Sequence, residues 1–231
     1  MQVDWSRFHL QLLFVDHDDG EIARVAQSLF DACTEWNGYG RSLCGWTCGV
    51  ECGADGQGYS LERAITLMVQ AQRWETSDMN LGAKVFARTP EQLEMNDMYT
   101  YDVVVCMNRN VKERVLALFE LDLKQDWDSE VDREFYRQRV CTLGDFLGYA
   151  TAVDVRQSGG GALLPSQLSE KLSEVDLQYL RDVDNMDIPQ AELAVPEQWN
   201  EMIMCIMLAV AGLVKYLIDS YPEDLRQFWL E

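Results

Sequence analysis

Residues 12–30 read LLFVDHDDGEIARVAQSLF: an apolar run, an acidic turn closed by glycine, then apolar positions at helical spacing. Leu10 to Val15 lacks polar alternation, which is the pattern of a strand covered on both faces. From Glu21 to Trp36 the residues Ile22, Val25, Ala26, Leu29, Phe30 and Cys33 recur every three or four positions, and Asn37-Gly38 ends the run. The stretch predicts a strand, a turn and a helix in direct succession.

Outward from it, Ser42 to Val50 alternates loosely between glycines and predicts a second strand. Ser60 is placed to cap a helix from Leu61 to about Trp74. Proline suits the first helical turn, so Thr89-Pro90-Glu91 predicts the opening of a short helix. Tyr101 to Met107, with Val103, Val104 and Val105 at its centre, predicts a strand, and helical residues follow from Val111 to Leu123. Strands and helices in alternation imply parallel strands with helices on both faces. The expected architecture is one doubly wound α/β domain over residues 1–220, with a central parallel sheet of about four strands, five helices and a tail at 221–231. Between about Val153 and Pro196 the periodicity weakens through the run Ser158-Gly159-Gly160-Gly161 and an acidic amphipathic stretch from Leu168 to Val183. That region reads as an extended surface insertion.

The chain has 231 residues, 48% of them hydrophobic, enough to bury a sizeable core. Against 39 acidic side chains stand 19 basic ones, a net charge of −20 that opposes binding to nucleic acid or anionic lipid and favours a protein partner with a basic surface. Seven cysteines, an odd number in apolar or small-residue contexts, suit reduced thiols in the cytoplasm or an organelle matrix or stroma. The start MQVDWSRFHLQLLFVD lacks the features of a secretory signal peptide. Met202 to Ile218 is apolar but short for a bilayer span and carries Lys215, so it is expected to be a buried helix and no membrane span.

The opening unit resembles the signature of the low-molecular-weight protein tyrosine phosphatases, in which an apolar strand runs into a Cys-x5-Arg-Ser loop and a helix. Aligned without gaps on Phe14-Val15 and on Ala26, Gln27 and Phe30, the family cysteine falls on Asp16 and the family arginine on Ile22. Three more stretches follow in the family's order. FARTPEQLEMNDMYTYDVVVCMNRNV, with Arg88, Asp102 and Met107, resembles the segment that includes the third strand; CTLGDFLGY resembles the fourth strand and its exit; WNEMIMCIMLAVAGLVKYLI resembles the last helix. The resemblance implies the family fold and a degenerate phosphate loop made of Asp16, His17, Asp18, Asp19, Gly20, Glu21 and Ile22. The family general acid, from an Asp-Pro pair, finds its counterpart in Ile188-Pro189, with Asp187 adjacent. Phosphotyrosine hydrolysis needs a low-pKa thiolate, an arginine on the phosphoryl oxygens and an acid for the leaving group. Asp16 and Ile22 supply neither of the first two, and four carboxylates in the loop repel a phosphate dianion by on the order of 1 kcal/mol each.

Other readings stand beside this one. DHDDG is also similar to the Asp-x-Asp start of the haloacid-dehalogenase-type phosphatases, which would make Asp16 a nucleophile and Asp18 an acid and base around a Mg²⁺ ion. Gly20 stands where that class places a threonine or similar group. The plainest reading is an exposed acidic turn capping a helix. Cys44, Cys48 and Cys52 are evenly spaced, as a metal or cluster site or a redox centre would allow, or simply buried on one side of a strand. His17 could titrate in the loop, and His9 is the other histidine. Leu225, Phe228 and Trp229 in the tail could dock on a partner or fold back. The function expected is that of a catalytically inactive phosphatase-like protein, working without cofactor as a scaffold, regulatory or structural subunit. The alternative is a Mg²⁺-dependent phosphatase or hydrolase using Asp16.

Overall fold

β1 (Leu10–Asp16) lies inside a four-stranded sheet whose order is β2 (Leu43–Gly49), β1, β3 (Val103–Cys106), β4 (Val140–Thr142), all parallel. The computed structural model describes residues 9–53, 61–74, 89–126, 130–156, 163–172, 187–192 and 194–220. Leu10 pairs with Leu43 and Asp16 with Gly49, while Leu12 to Val15 pair with Val103 to Cys106. A strand with neighbours on both edges and helices on both faces has no polar side to show, which is why Leu12–Val15 reads as unbroken apolar sequence.

Alternate side chains of β1 enter two cores. Leu12 and Phe14 join α1 (Glu21–Trp36), α2 (Leu61–Ala71) and the last helix, α8 (Pro196–Ser220). Leu13 and Val15 face α3 (Met95–Thr100), α4 (Arg109–Asp126) and α5 (Glu130–Arg139). The sheet is therefore doubly wound, as the strand and helix alternation predicts. α8 is long and apolar enough to cross a bilayer, and here Met202 to Val214 is buried among α1, α2 and the 3-10 turn Leu143–Phe146. Gly212 permits the closest approach, since a Cβ there would lie 2.1 Å from the Phe146 carbonyl oxygen.

Two details differ from the sequence expectation. No helix opens at Thr89: Gly49 donates to the Glu91 carbonyl at 2.8 Å, Leu93 donates to the Gly49 carbonyl at 2.8 Å, and the chain stays extended along the edge of β2. The helix begins at Met95 instead, where Glu94 and Asp97 form a reciprocal capping box. α5 also arises in a stretch for which the sequence predicts no helix, and Tyr136 packs from it on Phe119 at 4.8 Å between ring centroids.

Within 153–196, α6 (Ala152–Arg156) and α7 (Ser166–Ser169) are short helices, and Leu163, Leu164, Leu168, Leu172, Ile188 and Ala191 are buried in the α1–α8 core. Asn37 anchors this region by donating to the carbonyls of Cys33 at 2.7 Å and Leu163 at 2.8 Å. The Ser60 cap, Arg88, the Ser158–Gly161 run, residues 173–183 and the tail residues Leu225, Phe228 and Trp229 lie outside the described residues.

Candidate functional site

The chain leaves β1 for α1 and β2 on one side of it, then returns to β3 on the other. A parallel sheet that reverses direction in this way opens a crevice at the carboxyl ends of its strands. The Asp16–Ile22 turn stands at that place.

The turn folds around its own carboxylates. Asp16 is buried, with Oδ1 accepting the Gly20 N–H at 3.3 Å and Oδ2 the Ala23 N–H at 3.0 Å. These donors belong to the amino end of α1, where backbone amides and the helix dipole favour an anion. Asp19 adopts a left-handed conformation with φ +52°, which aspartate tolerates better than most residues, and its side chain is fully buried. Its carboxylate accepts Arg24 Nη2 at 3.1 Å, the Glu91 N–H at 2.9 Å and the Thr47 hydroxyl. One side chain thus joins the turn to α1, to β2 and to the extended segment before α3. Gly49 admits this packing, because a Cβ there would lie 2.4 Å from the Asp19 nitrogen.

Glu21 is also buried and pairs with Arg63 of α2. Arg63 in turn donates to the Ala191 carbonyl at 2.8 Å and lies 5.1 Å over the Trp199 ring. Asp18 is half-buried above Gly20, and Ile22 points into the α1 core. His17 is exposed, 3.7 Å from Glu51, which also binds Arg114 at 2.6 Å.

The expectation of an exposed acidic turn is corrected by this geometry. Three of its four carboxylates point inward, each to specific donors, because the turn is squeezed between α1 and the exit of β2. Burial dominates the electrostatics and pushes the Asp16 carboxyl up to about 7; the Ala23 amide opposes the shift, and Asp18, Asp19 and Glu21 reinforce it. Asp18 is raised as well, by burial and then by Glu21.

Ile188, aligned with the family's general acid, is buried against the top of β3, where its N–H donates to the Met107 carbonyl at 3.4 Å. Asp187 accepts the Arg109 N–H at 2.9 Å. Ile188 and His17 line one cleft of about 480 Å³ with Asn108, Arg114 and Asp187, so two regions 171 residues apart in sequence meet at the turn.

The cysteines do not assemble into a centre. Cys44 and Cys48 share a face of β2, but Cys52 lies beyond its end, with Sγ 3.2 Å from the Glu91 carbonyl. Burial pushes the Cys52 thiol up to about 11 and the Cys48 thiol higher still, so neither is a ready thiolate. Among the described residues no group of three or more His, Cys, Asp or Glu could hold a metal ion. Sequence reasoning missed Arg24, Thr47 and Arg63. A lone arginine inside the otherwise apolar α1 spacing was the one signal available.

The sheet order, the turn after β1 and the last helix packed on α1 together define the fold of the low-molecular-weight protein tyrosine phosphatases. Among solved structures, a low-molecular-weight protein tyrosine phosphatase from Bacillus subtilis superposes with a TM-score of 0.51 at 13% identity, covering 92% of this chain and 100% of that one. A protein tyrosine phosphatase from Entamoeba histolytica gives 0.54 at 11% identity, covering 92% of this chain and 99% of that one. Wzb from Vibrio vulnificus, solved with benzylphosphonate, gives 0.53 at 11% identity, covering 91% of this chain and 100% of that one. No family model matches the sequence. No curated protein matches it either.

Proposed function

We propose that this chain is a catalytically inactive relative of the phosphatases whose fold it shares, acting through protein contacts as a scaffold, regulatory or structural subunit. The observation that carries the reading is that Asp16, at the position the sequence alignment gives to the family's cysteine, itself accepts the Gly20 and Ala23 amides. Two donors of the turn are thus engaged by the chain itself. Ile22 at the arginine position is apolar and buried, and Arg24 is held by Asp19 inside the protein. Ile188 at the acid position has no proton to give.

With a net charge of −20, association is steered toward a partner with a basic surface. The segments assigned to that contact are the exposed residues of the 153–196 region, whose apolar residues Leu163 to Leu172, Ile188 and Ala191 belong to the core, and the tail sequence that carries Leu225, Phe228 and Trp229. The test is aryl phosphate hydrolysis by the full chain, with and without Mg²⁺, against an Asp16→Asn control. Rates equal to the control's support the reading. Turnover above it overturns the reading, and turnover only with Mg²⁺ would assign the chain to metal-dependent hydrolysis through Asp16.

A further inference from the structure

Three of the exposed large apolar side chains belong to a single helix, α2. Ile65, Met68 and Val69 are 51%, 42% and 57% exposed, and their spacing of three and four residues gathers them on one face. The opposite face, Ala64, Leu67 and Ala71, lies in the core with Trp74. Arg63 ties the helix to Glu21 and to the Ala191 carbonyl, and the Trp74 ring nitrogen donates to Asn200 Oδ1 at 3.3 Å. α2 is thus fixed in place with apolar side chains on both faces, although a surface helix ordinarily turns polar ones to water. Two charges bound the exposed stripe, Glu62 before Ile65 and Arg73 after Val69. Both are exposed, and among the described residues neither is joined to an opposite charge; the Arg73 guanidinium lies 4.6 Å over the neighbouring Trp74 ring.

We propose that the outer face of α2 is the contact between two copies of this chain, related by a two-fold axis that lays the two helices antiparallel. A two-fold interface must be complementary to itself. Glu62 lies three residues before Ile65 and Arg73 four after Val69, and the stripe meets that condition. Inverting the helix sets Ile65 against Val69 of the partner subunit and Glu62 beside Arg73 of the partner subunit, with Met68 near the axis. The stripe carries one charge of each sign on a chain whose net charge is −20. A basic partner finds no excess of carboxylates there, whereas two acidic chains meet with least repulsion across a locally neutral, apolar patch. At about 0.15 M salt the charges elsewhere are screened beyond a Debye length of about 8 Å. The dimer is a weak one, because a single helical stripe is small beside the roughly 800 Å² per partner of a standard interface.

The test is sedimentation equilibrium of the full chain over a range of concentrations at that salt. The mass is expected to rise with concentration from one chain toward two. Val69→Asp, at an exposed position that leaves the fold intact by circular dichroism, should weaken association by at least about tenfold, since it buries two carboxylates without partners. Glu62→Arg and Arg73→Glu each turn both ion pairs into like-charge contacts, and each should weaken it on the order of tenfold. An equal mixture of those two variants sets opposite charges face to face again and should regain the wild-type association. A single-chain mass at every concentration overturns the proposal and leaves the stripe to an unrelated partner or to this chain's own tail. Dimers indifferent to Val69→Asp overturn it by placing the contact elsewhere, and a mixture no stronger than its components overturns the antiparallel pairing.

Discussion

Asp19 and Arg24, five residues apart, meet at 3.1 Å with both side chains closed to water. Paired charges in such a place add little net stability, but removing one partner leaves the other uncompensated. Asp19→Ala is therefore expected to destabilise the fold by about 3–5 kcal/mol in urea denaturation. Asp19→Ala with Arg24→Met should recover much of that loss, since no charge is stranded. A double variant as unstable as the sum of the single ones would show that the pair is not coupled.

The pH dependence of stability follows from Asp16. Its folded pKa is raised from 3.8 to about 7, so the folded state binds the proton more tightly than the unfolded chain. The contribution is fully present below the unfolded value and is lost as pH rises through the folded one, an effect on the order of 4 kcal/mol across the window. Wild type is expected to lose stability between about pH 4 and 7 relative to Asp16→Asn. Parallel curves for the two proteins would refute the assignment.

Glycine positions separate two physical causes. A Cβ at Gly49 would meet backbone, 2.4 Å from the Asp19 nitrogen and 2.6 Å from the Asp18 carbonyl carbon, so Gly49→Ala should cost about 1–3 kcal/mol or more and loosen the turn. Gly38 has open space around it and φ +79°, so Gly38→Ala should cost only about 1–2 kcal/mol, through backbone strain. Melting temperatures give the order: Gly49→Ala lower than Gly38→Ala, and both below wild type.

Restoring the family's two residues is expected to be insufficient. In the variant Asp16→Cys with Ile22→Arg, Asp18, Asp19 and Glu21 remain, and Ile22 is part of the α1 core, so an arginine there loses packing as well as meeting carboxylates. The measurement is a pre-steady-state burst with p-nitrophenyl phosphate. A clear burst would show that the remaining carboxylates matter less than the geometry suggests.

Much of the fold was legible because its elements carry strong local patterns. The apolar run Leu10–Val15 holds because alternate residues of β1 face two cores, and the helical spacing from Ile22 to Cys33 because α1 lays one face on the first of them. Thr89-Pro90-Glu91 misled, because proline is equally at home in an extended segment, and the pairing with Gly49 that selects between the two is contributed by a residue 40 positions earlier. α5 was missed for a related reason: its mean character is polar, and the contact that anchors it is between Tyr136 and Phe119.

Sequence by itself determined that the turn after β1 is rich in carboxylates, that an aspartate and an isoleucine stand at Asp16 and Ile22, and that the strand and helix order is that of a doubly wound sheet. These are matters of residue identity and local spacing. Only the tertiary structure decided what the carboxylates do. Whether an acidic side chain lies in water or accepts an amide, a hydroxyl and a guanidinium depends on which groups distant in sequence are brought within about 3 Å. Asp19 meets Thr47 and Glu91, Glu21 meets Arg63, and Ile188 arrives beside His17, because the sheet and α8 fold those segments over the end of β1.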